Sequence, residues 1–157
     1  MFASSLGLLA MLLAACNTTS VGFDYETRVP RFVLESENEG SILTLPVSGA
    51  RIQVDPKAVL TEYDVVAVDV AELELGPCLQ FTLTHRASRA FYQKSATNLG
   101  KRLVLLVNGQ PLGLQRLERP IGNGVVYIFV EIPDSELPEL AKNLRGTSIE
   151  LQNKING

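Results

Sequence analysis

Most of the chain is patterned in short apolar runs separated by turn residues. Leu103 to Val107 is the clearest of these runs: it is unbroken, too short for a helix, and suits a strand covered on both faces. Asn108-Gly109 follows, the pair that a tight two-residue hairpin favours because both turn positions need positive φ. Leu112 to Leu117 then reads as a returning, more exposed strand, and Gly122-Asn123-Gly124 as a second turn. Val125 to Ile132 is another nearly continuous apolar strand.

Upstream, Arg31 to Glu35 predicts a short strand and Ser36 to Gly40 a charged turn. Ile42 to Val47 predicts a second strand, with Pro46 at an edge or at its end. Arg51 to Val54 alternates as a half-exposed third strand and stops at Asp55-Pro56. Leu60 to Asp64 suits a single helical turn capped by Thr61 or Asp64. Val65 to Leu75 alternates as a long strand, Gly76-Pro77 breaks it, and Cys78 to Leu83 is the next. Thr84 stands where an N-cap belongs, before helical spacing of Ala87, Ala90, Phe91 and Ser95 that runs to Asn98 and stops at Gly100. A second helix has Leu137, Leu140, Ala141 and Leu144 on one face. Asp134 or Ser135 caps it, Pro138 is tolerated in its first turn, and Gly146 ends it. A final strand falls near Ile149 to Leu151. The predicted class is α+β: a mostly antiparallel sheet with two helices packed on one face, preceded by short N-terminal strands.

The first fifteen residues stand apart. Leu6 to Ala15 is almost wholly apolar, too short to span a bilayer comfortably, and ends in small residues, as a leader does. Leu13-Ala14-Ala15-Cys16 resembles the lipobox of bacterial lipoproteins, which implies cleavage before Cys16 and lipidation of its thiol, with palmitate among the acyl chains. No Lys or Arg precedes the apolar run, a departure from the usual basic n-region. The expected organisation is a signal peptide at 1–15, a lipidated tether at 16–28, an N-terminal β segment at 29–59 and an α+β domain at 60–157. The resemblance implies a lipid-anchored, periplasm-facing protein of the bacterial envelope. Asn17 is not the aspartate that favours inner-membrane retention in enteric bacteria, which tips the expectation toward the outer membrane. With Cys16 lipidated, Cys78 lacks a disulfide partner and reads as a small buried apolar residue.

Composition then excludes several classes of function. The chain has 157 residues, 46% hydrophobic and 20% charged, with a net charge of -3, so it carries no electrostatic footprint for nucleic acid. A single histidine rules out histidine-rich metal sites by count. His85 has no nucleophile or orienting carboxylate assigned by the sequence and reads as an exposed first-turn residue. Ser88 and Ser95 lack a nucleophile-elbow pattern. Glu35, Glu37 and Glu39 alternate without the spacing of a calcium loop. Catalytic residues, metal, cofactor and small-molecule substrate are therefore all expected to be absent. Arg86, Arg89 and Lys94 with Lys101-Arg102 read as a solvated basic face or, functionally, as a docking surface for an acidic protein partner.

Phe81-Thr82-Leu83-Thr84, the alanine-containing helix through Phe91, Thr97-Asn98-Leu99-Gly100-Lys101-Arg102-Leu103, Leu106-Val107-Asn108-Gly109 and Arg119-Pro120-Ile121-Gly122 share an order and wording. Together with Leu60 to Val65 and the Leu140-Ala141 helix, they resemble the head subdomain of the first periplasmic loop of SecD, over about Leu60 to Gly146. That resemblance implies a surface that touches exported polypeptide, with no catalytic residue attached. SecD couples export to protons through charged residues in its membrane helices, and no such helix follows the leader in this sequence. The expected function is a membrane-anchored, non-enzymatic lipoprotein that binds a protein partner or exported chain, with Arg86, Arg89, Lys101 and Arg102 as its surface. The alternative is a structural adaptor holding an envelope complex at the membrane. The sheet suggests the means, since an exposed edge strand can accept an extended peptide.

Overall fold

The computed structural model describes residues 24–157. The leader, Cys16 and the tether up to residue 23 lie outside the described residues. Among the described residues eight strands form in chain order: β1 (Pro30–Leu34), β2 (Ser41–Thr44), β3 (Arg51–Val54), β4 (Val65–Leu73), β5 (Gly76–Leu83), β6 (Arg102–Val107), β7 (Gln110–Arg116) and β8 (Val125–Val130). The two helices are α1 (His85–Ala96) and α2 (Leu137–Asn156). One antiparallel sheet runs β1-β6-β7-β8-β5-β4, and β2 and β3 form a separate hairpin.

Alternation along the strands sorts the side chains into two cores. Phe32, Val68, Leu79, Phe81, Leu103, Leu105, Val126 and Ile128 point to the face that receives Phe91 of α1 and Leu137, Ala141 and Leu144 of α2. Phe32 and Phe81 meet edge-to-face at 5.0 Å in its centre. Burying each such ring contributes about 2–3 kcal/mol. On the opposite face Val33 and Val104 pack against Leu45, Ile52 and Val54 of the hairpin. That is why Leu103 to Val107 is apolar throughout: β6 is covered on both sides. The α+β arrangement, with both helices on one face, is the one the sequence predicts.

Turns and caps follow local chemistry. Asn108 and Gly109 both adopt positive φ, 49° and 80°, as a tight hairpin requires. Thr84 accepts the Ala87 N–H at 3.1 Å and starts α1. Thr61 donates its N–H to the Asp64 carboxylate at 2.8 Å, closing the short turn before β4. Cys78 is a free, buried thiol in β5, and burial first, then the Glu72 charge, pushes its pKa up.

Several expectations are corrected. Gly76-Pro77 does not break the chain; it opens β5, and the turn is Glu74-Leu75. Asp134 and Ser135 do not cap α2; they form a 3-10 turn that leads into it, and Glu136 occupies the cap position. Gly146 does not end α2, and no strand forms at Ile149 to Leu151, because the helix continues to Asn156. Gly146 instead gives way to an aromatic ring: a Cβ there would stand 2.4 Å from Tyr25. Residues 24–28, assigned by sequence to the tether, lie along this helix. Glu26 and Arg28 donate their N–H groups to Asn143 Oδ1 and Thr147 Oγ1, at 2.8 and 2.9 Å. Tyr25 donates its hydroxyl to Glu150 at 2.5 Å, and that carboxylate first among causes pushes the phenol up to about 12.

Candidate polypeptide-binding surface

A sheet that binds extended chains needs main-chain groups that its own strands leave open. The two outer edges are largely covered. Beyond β1, Phe32 donates its N–H to Leu60 O at 2.9 Å and accepts from Val59 N–H at 2.8 Å, and Leu34 O accepts from Asp55 N–H. On β4, Arg145 Nε reaches Val68 O at 2.9 Å and its Nη2 reaches Asp69, while Gln152 donates to Tyr63 O at 3.0 Å in the turn just before the strand. These contacts blunt the edges as soluble sheets commonly do. The far half of β4 is less covered. Val70 and Leu73 are exposed there, and Leu75 at the hairpin tip is 85% exposed.

The interior of the sheet is less regular. β7 and β8 pair only at Gly113↔Val130 and Leu114↔Phe129. The cause lies in the connection between them, which docks on α1. Leu117 donates its N–H to Lys101 O at 2.9 Å and accepts from Gly100 N–H at 2.7 Å, so β7 stays with β6. Ile121 donates its N–H to the Ser95 hydroxyl at 2.9 Å, a buried group that itself donates to Tyr92 O. Gly124, just before β8, then lies so close to α1 that a Cβ would stand 2.8 Å from Ser88 Oγ. With β7 held by β6 and β8 held by β5 and α1, the two strands part. Between them lies a cleft of about 540 Å³, lined among others by Gln115, Arg116, Leu117, Arg119, Ile121 and Tyr127. A second groove of about 620 Å³ meets it at Gly122-Asn123 and continues past Arg89 and Tyr92.

The sequence-predicted basic residues divide between two places. Arg86 and Arg89 are exposed in the first half of α1, and Arg89 lines the second groove. Lys101 and Arg102 are partly buried beyond the end of the helix. Most of α1, about 18 Å over its whole length, separates Arg86 from Lys101. Arg102 is also engaged: its N–H and Nε donate to Glu35 at 2.9 and 3.0 Å. The hydrogen bonds from Arg102 hold the Glu35 carboxyl below its usual range against burial. Glu62 likewise falls below the usual range, because Arg31 and backbone bonding outweigh the upward push of burial. Cys16 lies outside the described residues.

Sequence reasoning missed Ser95, the anchor of the loop, and Arg116, Arg119 and Tyr127 on the cleft. No local signal marks them, because the parting of β7 and β8 depends on contacts far apart in the chain. His85 is exposed beside the second groove. Among the described residues no three His, Cys, Asp or Glu side chains group as metal ligands. No described helix is long and apolar enough to cross a membrane.

No family model matches the sequence, and no curated protein matches it. Solved structures do match by fold. A structure of the membrane component SecDF, described as enhancing protein export, aligns with a TM-score of 0.60 at 20% identity over 78% of this chain and 64% of that one. SecDF in its super-membrane-facing form aligns at 0.62 and 21% identity, over 77% of this chain and 19% of the other. SecDF from Thermus thermophilus, a translocon-associated membrane protein, aligns at 0.54 and 19% identity, over 79% and 20%. The chain thus spans just under two thirds of the first structure and about a fifth of the other two. The α+β unit described above has the fold of a SecD-like domain.

Proposed function

We propose that this chain is a non-enzymatic, envelope-anchored protein whose SecD-like domain binds polypeptide, either exported chains or a partner of the translocation machinery. The fold likeness to SecDF carries the reading, because those structures belong to proteins of export and translocon association. The sheet supplies a physical reason in the same direction, since it offers main-chain edge at β4 and a cleft between β7 and β8. Arg86 and Arg89 add exposed positive charge beside the second groove. The anchor in this reading is Cys16, lipidated after cleavage of the leader, and the domain faces the periplasm. Lys101 serves as a peripheral basic group, whereas Arg102 acts through Glu35 as a structural ion pair.

Chemical crosslinking in cells, followed by purification of the full chain, tests this function. A spread of exported proteins is expected to copurify. One stoichiometric partner instead of a spread would favour a structural adaptor, the reading supported by the covered β1 edge. Replacing Cys16→Ser is expected to move the protein out of the membrane fraction or block its processing, since several acyl chains anchor durably.

A further inference from the structure

The β7–β8 cleft has hydrogen-bonding directions that can be traced rung by rung. Glu131 donates its N–H to Leu112 O at 2.8 Å, so Leu112 and Glu131 face each other across the two strands. Alternation then turns Leu114 and Arg116 of β7, and Phe129, Tyr127 and Val125 of β8, toward the same gap. The Leu83 N–H bond to Gly124 O independently agrees: it puts Val126 and Ile128 on the β5 side and Tyr127 on the other. Leu114↔Phe129 is made, and the next rung, Arg116 to Tyr127, is not. The Val125 N–H is met locally by Asn123 Oδ1 at 3.1 Å. The Tyr127 N–H and C=O and those of Arg116 therefore face the cleft. Gln115 lines the same cleft, and its Oε1 is buried with no hydrogen-bond partner among the described residues. A buried acceptor of this kind is stabilised by a ligand that donates an N–H.

Resting on the polypeptide-binding reading above, we infer that the cleft between β7 and β8 is a strand-acceptor site. It takes an extended acidic peptide segment, paired through its main chain to the Arg116 and Tyr127 edges. Main-chain groups are the complement the edges call for: alternating N–H and C=O at strand spacing, whatever the side chains. Apolar side chains of the guest meet Ile121, Val125 and Tyr127. Acidic side chains meet Arg116 and Arg119, both exposed at the rim, against Glu118 as the acid that also lines it. Arg89 extends the same charge into the adjoining groove, where no carboxylate among the described residues lines the wall. The local sign is positive although the whole chain is at -3, which favours an acidic guest over a basic one.

The test uses the full chain in detergent and fluorescein-labelled ten-residue peptides of alternating Glu and Val. Lysine-for-glutamate and alternately N-methylated versions serve as comparisons. The Glu-Val peptide is expected to bind. The Lys-Val and N-methylated peptides are expected to bind about tenfold more weakly or not at all. Arg116→Glu with Arg119→Glu is expected to weaken the Glu-Val peptide about tenfold at low salt and less at high salt. Residue-resolved hydrogen exchange supplies a readout that needs no variant. In the free protein the Tyr127 amide is expected to exchange much faster than those of Val126 and Ile128, and to slow when the Glu-Val peptide is added. Equal binding of the N-methylated peptide, or a Tyr127 amide as protected as its neighbours before peptide is added, would overturn the site. If exported chains still crosslink in cells while the peptide fails here, the cleft is wrong and the polypeptide-binding function stands. Failure of both removes the function with the site.

Discussion

Gly146 and Tyr25 show how a single contact ties a distant segment to the domain. Gly146 lies within α2, where alanine is intrinsically better than glycine by about 1 kcal/mol. The Tyr25 ring lies where a Cβ would go, so the packing penalty reverses the sign. Gly146→Ala is expected to destabilise the domain by about 1–3 kcal/mol in urea denaturation. It should also raise hydrogen exchange at Glu26 and Arg28, whose amides bond Asn143 and Thr147. In a Tyr25→Ala background the same change is expected to be neutral or stabilising, which makes the pair strongly non-additive. Equal effects in both backgrounds would mean that the glycine answers to something other than the ring. From sequence alone the same glycine looks like a helix stop. Its purpose is visible only when residue 25 is brought to residue 146, a contact no local pattern encodes. Thr84 is the opposite case, because a cap satisfies an N–H three residues away and is legible from its own neighbourhood.

Among the elements, β1 has an ion pair near each of its ends. It joins β6 by five register pairs, Pro30↔Val107 to Leu34↔Leu103. Arg31 at its start holds Glu62, and Glu35 just past its end holds Arg102. Both carboxyls are held below their usual pKa. The sign follows: the stability they add is fully present above the unfolded carboxylate value, about 4.3, and is lost as pH falls through the depressed folded values. Denaturant midpoints are thus expected to fall below about pH 4.3. The Glu35→Gln, Glu62→Gln double variant should be less stable at neutral pH and show a flatter acid limb. An acid limb unchanged in that variant would assign acid sensitivity to other groups. The β6–β7 hairpin was legible because Asn108-Gly109 states its turn and Leu103 to Val107 its double burial. The place of β1 beside β6 was not, since its strand pattern carries no record of its neighbour. The parting of β7 and β8 was illegible for the same reason: both read as ordinary strands, and Ser95 and Gly124 separate them through α1.

At the scale of the whole molecule, a helix-backed sheet carries a cleft on one side of α1 and a docked N-terminal segment on α2. The α+β class and the SecD-like fold were both legible, because the order of elements and the short shared words around Thr84, Gly100 and Asn108-Gly109 survive in one sequence. The surface was only partly legible. Arg86 and Arg89 stand exposed as a basic run suggests, whereas Arg102 is taken up by Glu35, a partner 67 residues away. In the proposed function this domain touches chains during export. Site-specific photocrosslinking in cells tests it most directly, with a photoreactive residue at Arg89 or Arg119 and an exported protein stalled part-way through the membrane. Crosslinks to the stalled chain from both positions, and none from Glu139 on α2, are the expected result. No crosslink from any position while the protein is folded and membrane-bound, or equal crosslinking from all three, would rule out that contact.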